Sequence, residues 1–490
     1  MIRNGTDIAT GTELSAQVCV IGSGPAGITA AWELQKAGKK VILIEGGRNF
    51  ANDFRASWPD KVLMYNGQAE GLFATNEPNF LILPFQGHTT PAWERERVYG
   101  GTSTHWGGQS RPLNPITFKA RPGYAGWPID RTDLDPFYAK AAALCKLHGD
   151  DFSAEYWAKE LQAEVTDLSG FETDMYQFIG GQFLNFATRD FNGGTIGDSD
   201  AEVIVNANLL EIEHQQGSVS KLHVASMSDG SCPQPQTRFT IKADAYVLAC
   251  GAVANARQLL LSNVGNEYDL VGRYFMCHPL SQNGVIRITS PYLNYDQSRL
   301  MNGQTPTGQW RDANGVTVTG RFVATPDEVT RLGIGQCWFW AGGGQYYFEM
   351  AENPDSRVTL ADTKDPVFGQ PQTRIDWQLS PRDQQTYEQN TALFKKAVNQ
   401  LGGDVSYPDW ETVKSQLVVN GHHIGTTRMA SEAKNGVVDA NLKVHSQDNL
   451  YVAGSSVFPC TGIANPTFTI ITLSIRLAEH LDQTLGCGSN

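Results

Sequence analysis

The stretch QVCVIGSGPAG, residues 17–27, constrains the fold more than any other part of the chain. The apolar, charge-free run that leads into Gly22 reads as a strand buried on both faces. Gly22-x-Gly24-x-x-Gly27 follows, with Pro25 and Ala26 inside it, and Ile28–Ala37 reads as a helix. KKVILIEGG then predicts a second strand that closes on Glu45. Each glycine has its own task. Gly22 permits the tight turn, Gly24 lets a pyrophosphate approach the backbone, and Gly27 lets the helix pack on the strand. The helix N-terminus turns unpaired N–H groups and a positive dipole end toward the phosphates. Glu45 stands about 20 residues on, where a carboxylate accepts from a ribose 2′-OH. The unit predicts a dinucleotide site in an α/β fold. Whether the nucleotide carries a nicotinamide or a flavin is open at this point.

The 490 residues suggest roughly two to four domains. A hydrophobic fraction of 41%, a charged fraction of only 18%, and 49 glycines fit a loop-rich globular enzyme, not a disordered or fibrous chain. The net charge of −13 argues against nucleic acid or an anionic membrane surface as partner. No apolar run reaches the ~18 residues of a membrane span. The first residues carry no basic, apolar leader, so a cytoplasmic protein without a membrane span is expected. The eight cysteines are scattered without metal-ligand spacing and read as buried reduced thiols, with no metal site.

Residues 51–125 are rich in Gly, Pro, Asn and aromatics and are expected to cover a ligand. GWPIDRTDLDPFYAKAAALCKL (126–147) predicts a turn and a helix capped by Thr132 or Asp133, with Leu134, Phe137, Ala141 and Leu144 as its apolar face. From residue 202 the period changes to two. EVIVNANLLEIEHQ, SKLHVASM and RFTIKADAYVLACG predict an antiparallel meander. Its last strand rejoins the first sheet near Ala249 and Gly251, with a helix at 257–263. Residues 286–425 predict a second sheet. Its aromatics (Trp338, Phe339, Trp340, Tyr346, Tyr347, Phe348) are either core or a stacking surface. Near the C-terminus, DNLYVAGSSVFP is a strand that ends in a turn at Gly454 and Ser455. A long amphipathic helix follows, with Asn465 at its N-cap, Pro466 at N1 and Thr467 next. The nucleotide domain is therefore expected to be discontinuous.

Three constellations carry the chemistry. GGTSTHWGG (100–108) surrounds His105 and Trp106 with Gly101, Thr102, Ser103, Thr104 and Gly107; its hydroxyls are either turn-formers or ligands. NGHHIGTTRM (420–429) pairs His422 with His423, and Asn465 heads the last helix. Together they fit alcohol oxidation. A neutral histidine has the basicity to take the hydroxyl proton near pH 7. A neighbouring amide can hold the same oxygen. A helix N-terminus can stabilise the anion that a reduced flavin becomes.

In this order the motifs resemble the glucose–methanol–choline (GMC) family of FAD-dependent oxidoreductases over essentially the whole chain. VIGSGPAG with Glu45, GGTSTHWGG, GWPIDRTDLDPFY, VLACGAVANARQLLLSN, VGRYFMCHP, SRVTLAD, HHIGTTRM and NLYVAGSSVFPCTGIANPTFTI carry the likeness. The resemblance implies FAD as cofactor, His422 as catalytic base, His423 as its structural neighbour and Asn465 as second active-site residue. It implies a mixed architecture: a discontinuous Rossmann-like FAD-binding domain (1–125, 200–285 and 430–490) and a substrate-binding domain on a mixed or antiparallel sheet (126–199 and 286–429). STHW resembles the loop of the pyranose oxidase branch, in which the histidine is bonded to the flavin. That implies a covalent link at His105 and a sugar or glycoside hydroxyl as substrate. Gly107 stands where that branch has threonine, so oxygen, a quinone or an electron carrier stay open as acceptor. The alternatives are a dye-, quinone- or cytochrome-linked polyol dehydrogenase and a lyase with structural flavin. An NAD-linked dehydrogenase follows from the glycine motif alone.

Overall fold

The computed structural model describes residues 2–47, 80–82, 97–104, 106–161, 165, 167–180, 184–228, 234–281, 312–339, 346–415, 417–418 and 421–486, with 80–82, 280–281, 346 and 418 as backbone only. Most of the loop expected over 51–125 lies outside the described residues, as do His105 and Trp340.

An eight-stranded sheet forms the first layer. Its parallel strands run in the order Ile2–Asn4, Glu202–Val205, Val41–Ile44, Glu13–Ile21 and Pro235–Leu248. Val18–Ile21 and Val41–Ile44 are buried throughout, as a sheet covered on both faces requires. The 14-residue Pro235–Leu248 strand has two partners along its far side. Its first half pairs antiparallel with Ser218–Met227, which hairpins to Asn208–Gln215. Its last residues, Tyr246–Leu248, pair parallel with Leu450–Val452. One sheet thus draws on the start, middle and end of the chain.

EVIV departs from the expected meander. Glu202–Val205 lies on the parallel side, between Ile2–Asn4 and Val41–Ile44. Asn206 at φ +53° breaks the strand before Asn208, so a run that reads as one strand is two. The first helix is Pro25–Lys36, three residues earlier than periodicity suggested, because Gly24 is its N-cap and Pro25 suits its first turn. Thr132 does not cap a helix. Asp130 caps a short 3-10 turn over Arg131–Asp133, and the helix Asp135–Leu144 begins only after it. Tyr138 of that helix shares a 2.7 Å hydrogen bond with Thr469 of the C-terminal helix Pro466–Gly486.

The second layer is a seven-stranded antiparallel sheet: Leu417–Val418, Leu280–Ser281, Tyr346–Phe348, Cys337–Phe339, Thr317–Ala324, Phe171–Phe178 and Gln109–Ser110. Phe339 and Phe348 are core, and Phe339 stacks on Phe394 with ring centroids 4.2 Å apart. A three-stranded sheet joins Arg357–Lys364, Pro371–Asp376 and Phe80–Ile82. Among the described residues no helix is long and apolar enough to cross a membrane.

Candidate active site

Three parallel neighbours deliver the site at one edge of the first sheet. Glu13–Ile21, Pro235–Leu248 and Leu450–Val452 run out into glycine turns at Gly22, Gly251 and Gly454. Gly22 is required twice over: its φ is +101°, and a Cβ there would lie 2.6 Å from the Ala249 carbonyl oxygen. Past these turns start the helices Pro25–Lys36, Ala252–Ser262 and, after a 3-10 turn, Pro466–Gly486. Their first residues line one cleft.

Of the residues expected from sequence, Gly22, Gly24, Pro25, Ala26, Glu45, Gly101, Thr102, Ala249, Gly251, Gly454, Ser455, Pro466, Thr467 and His422 all line this cleft. Gly24 leaves open space where a Cβ would stand, with no protein atom within 4 Å, so a ligand can approach its backbone. Gly27 works behind the wall: a Cβ there would sit 1.8 Å from the Gly22 carbonyl oxygen, so only glycine lets the helix this close. Ser103, Thr104, Trp106, Gly107 and Asn465 are not in the lining, Asn465 standing beside it through its 3.2 Å contact with His422. Ser103 Oγ donates to Gly100 O at 2.6 Å and accepts from Phe186 N at 3.1 Å. Thr104 Oγ1 donates to Gly101 O at 3.0 Å, and Trp106 Nε1 to Leu184 O at 2.8 Å. These side chains shape the loop that carries Gly101 and Thr102 into the cleft.

Glu45 is buried. Its carboxylate accepts from Ser23 N at 3.0 Å, Ser23 Oγ at 2.7 Å and Gly47 N at 2.8 Å. Burial pushes its pKa above the usual carboxylate range, against the pull of those three donors. Ser23 Oγ also accepts from Gly100 N at 3.2 Å, so one hydroxyl ties the glycine turn, the acidic strand end and the 100–104 loop together. Asn255 does the same for the other two turns. Its Oδ1 accepts from Cys250 N at 2.8 Å, and its Nδ2 donates to Ala453 O and Ser456 Oγ, both at 3.0 Å. Arg97 also lines the cleft and donates to Asn208 Oδ1. Sequence reasoning missed Ser23, Arg97 and Asn255, although Ser23 and Asn255 lie inside motifs singled out for their glycines and Arg97 stands three residues before another.

The other end of the cleft is built from side chains. Residues 425–429 run along 455–457, with Gly425 N to Ser455 O, Thr427 N to Ser456 O and Met429 N to Val457 O at 2.8–3.2 Å. That pairing brings the histidine pair beside the head of the last helix. Met276 and Ile424 form an antiparallel bridge, each N–H donating to the other's carbonyl at 2.9–3.0 Å. Two residues further along each strand, on the same face, stand His278 and His422. Their Nδ1 atoms are 2.9 Å apart. His278 Nε2 lies 3.0 Å from the Gly462 carbonyl oxygen, and His422 Nε2 lies 3.2 Å from Asn465 Nδ2. His423 also lines the cleft; it is buried, with its ring 5.4 Å from that of Phe275.

The protons in this chain follow from its ends. A carbonyl only accepts, so His278 carries its proton on Nε2 and its Nδ1 is an acceptor. His422 must then donate from Nδ1, which leaves a lone pair on Nε2 for the Asn465 amide to meet as a donor. Both rings are held neutral. Burial pulls His278 down to about 4, and His422 falls well below its usual value because burial is reinforced by His278 and His423. Tyr347 borders the pair, its ring 5.8 Å from His422 and 6.2 Å from His278, and Trp338 packs 4.7 Å from Tyr347. Those two aromatics of the group singled out from sequence thus flank the site.

The sequence profile described as FAD dependent oxidoreductase matches residues 17–410, and that described as GMC oxidoreductase matches residues 352–474. The chain is an FAD-dependent oxidoreductase of the GMC family. Among relatives of this GMC oxidoreductase, 6'''-hydroxyparomomycin C oxidase of Streptomyces lividus is 24% identical, the match covering 95% of this chain and 91% of the relative. C-glycoside 3-oxidase of Microbacterium trichothecenolyticum is 29% identical over 78% of this chain and 74% of its own. The solved structure of pyridoxine 4-oxidase from Mesorbium loti shares the fold, with a TM-score of 0.58 and 15% identity over 95% of this chain and 98% of that one. The cofactor is FAD. The cleft fits it: an open backbone cradle at Gly24, three helix starts that offer N–H groups, and the buried Glu45.

Proposed function

We propose that this oxidoreductase oxidises a sugar or glycoside hydroxyl to a carbonyl, with His422 as the base and Asn465 as the residue that positions the substrate oxygen. The observation that carries the reading is the position of His422, at the cleft with its Nε2 3.2 Å from the Asn465 amide nitrogen. An alcohol oxygen placed between these two groups gives its proton to Nε2 and accepts from Nδ2 of Asn465. As the proton leaves, the developing alkoxide pushes hydride off the carbon. Bound FAD supplies the two-electron acceptor for that hydride. His422 becomes an imidazolium, and its Nδ1–H keeps donating to His278 Nδ1 throughout. The glycine turns, Glu45 and the head of the Pro466–Gly486 helix hold the cofactor in this reading. Relatives named as paromomycin-type and C-glycoside oxidases support the substrate class. The same reading assigns the first sheet to an FAD-binding domain and the antiparallel sheet to a substrate-binding one, and a covalent flavin link to His105.

The test is anaerobic reduction of the flavin by a panel of monosaccharides and methyl glycosides. His422→Ala should retain its yellow colour and slow reduction by about 10²–10⁴-fold. Reduction at the wild-type rate would remove His422 from the chemistry. Flavin that stays with the acid-precipitated wild-type protein but not with His105→Ala establishes the link; release from both removes it.

A further inference from the structure

We infer that His278 is a positioning residue that fixes the tautomer of His422, so that the cleft meets a bare Nε2 and not an N–H. The inference rests on the proposed role of His422 and adds the reason why that ring is competent as a base. A neutral imidazole has one proton and two places to put it. If it stood on Nε2, His422 would face the substrate as a donor and could not take the hydroxyl proton.

The choice is forced from the far end of the chain of contacts. The Gly462 carbonyl, 3.0 Å from His278 Nε2, fixes the proton there. The two Nδ1 atoms stand 2.9 Å apart and share one proton; it cannot belong to His278, whose proton is already spent, so it belongs to His422. Asn465 at the other end presents an amide nitrogen, which fits a lone pair on Nε2 and not a second N–H. The rings cross at 84°, so they meet through their Nδ1 atoms and do not stack. His278 is 1% exposed and meets the Nδ1 of His422, so it acts through that ring.

The carbonyl that begins the chain, Gly462, and the amide that ends it, Asn465, sit three residues apart on one segment. Movement of that segment shifts both ends together. Among the described residues, other titratable groups that face the pair are His423 on the same loop and Tyr347 on the neighbouring strand. Neither replaces the contact to Nδ1 of His422, which His278 holds.

The test is a histidine-15N spectrum of the FAD-loaded protein near pH 7.5, where long-range proton couplings report which nitrogen of each ring is protonated. His422 is assigned by the signal lost in His422→Gln. In wild type, His422 should show a protonated Nδ1 and a bare Nε2; the opposite pattern overturns the inference without any variant. In His278→Leu, which offers no acceptor, His422 should lose that preference and flavin reduction by the monosaccharide panel should slow by about 10²-fold. His278→Asn puts a carbonyl oxygen near the position of Nδ1. It should keep the tautomer and stay within about tenfold of wild type. If His278→Leu keeps the wild-type tautomer, or His278→Asn loses it as fully, His278 only fills space. If the tautomer follows this pattern while His422→Ala still reduces its flavin normally, the inference stands and the base assignment falls.

Discussion

The two ends of the cleft are made by opposite means. At the nucleotide end the working groups are backbone, exposed by glycines at three strand ends. Side chains there are mostly braces, such as Ser23 and Asn255, that hold one turn to the next. At the end proposed to be catalytic the groups that meet are side chains, and the backbone supplies one fixed point, the Gly462 carbonyl 3.0 Å from His278 Nε2. A backbone site is intolerant of added atoms. A side-chain relay is intolerant of lost ones, and of protons.

Four measurements sharpen or break that contrast. The largest effect belongs to Gly27→Val. Its Cβ falls 1.8 Å from a backbone oxygen that cannot swing away, so helix and strand must part at a cost of about 3 kcal/mol. Soluble yellow protein should be largely lost, and a normal yield would show that the helix has room to shift. Next is pH. A proton that the unfolded chain binds near 6.5 and the folded chain refuses down to about 4 makes the folded state lose stability as pH falls through that window. His278 alone should destabilise the protein by about 2 kcal/mol at pH 5 relative to pH 8. Thermal melts of wild type and His278→Asn should therefore diverge on acidification; parallel curves would contradict the buried neutral pair. Third comes Gly24→Ala. No protein atom lies within 4 Å of its Cβ, so the melt of the apoprotein should hold, while in a His105→Ala background, where the flavin is free to dissociate, the FAD dissociation constant rises about tenfold. Unchanged FAD retention would place the phosphates elsewhere. Smallest is Ser23→Ala, which removes one of three donors from Glu45 and should lower stability by about 1 kcal/mol with the flavin still bound. A loss as large as that of Gly27→Val would mean that the backbone end leans on side chains after all.

The same contrast explains what the sequence made legible. The nucleotide end is local: strand, glycines, helix and Glu45 fall within 30 residues, and their order alone implied the turn at Gly22 and the close packing at Gly27. The catalytic end is legible only as fragments. His422 and Asn465 stood out, yet His278 did not, because one histidine in VGRYFMCHP carries no pattern of its own. Its meaning comes from the Met276–Ile424 bridge, a pairing between distant segments that no periodicity announces. The misread EVIV strand has a similar cause: alternation gave the strand, and the left-handed Asn206 gave its end, but only the sheet decides which neighbour it takes.

The sheet that gathers the three glycine turns also dictates when the protein can come into being. Leu450–Val452 and the helix behind it are synthesised about 200 residues after the strand whose end they pair with, a strand that itself lies against Glu13–Ile21. Until they emerge, the growing chain carries an open strand end and an unfinished flavin pocket, with long-range closures still to be made. Flavin capture therefore waits until residues 450–467 have emerged, and any nascent chain stalled short of residue 450 should be colourless, however complete its N-terminal glycine motif.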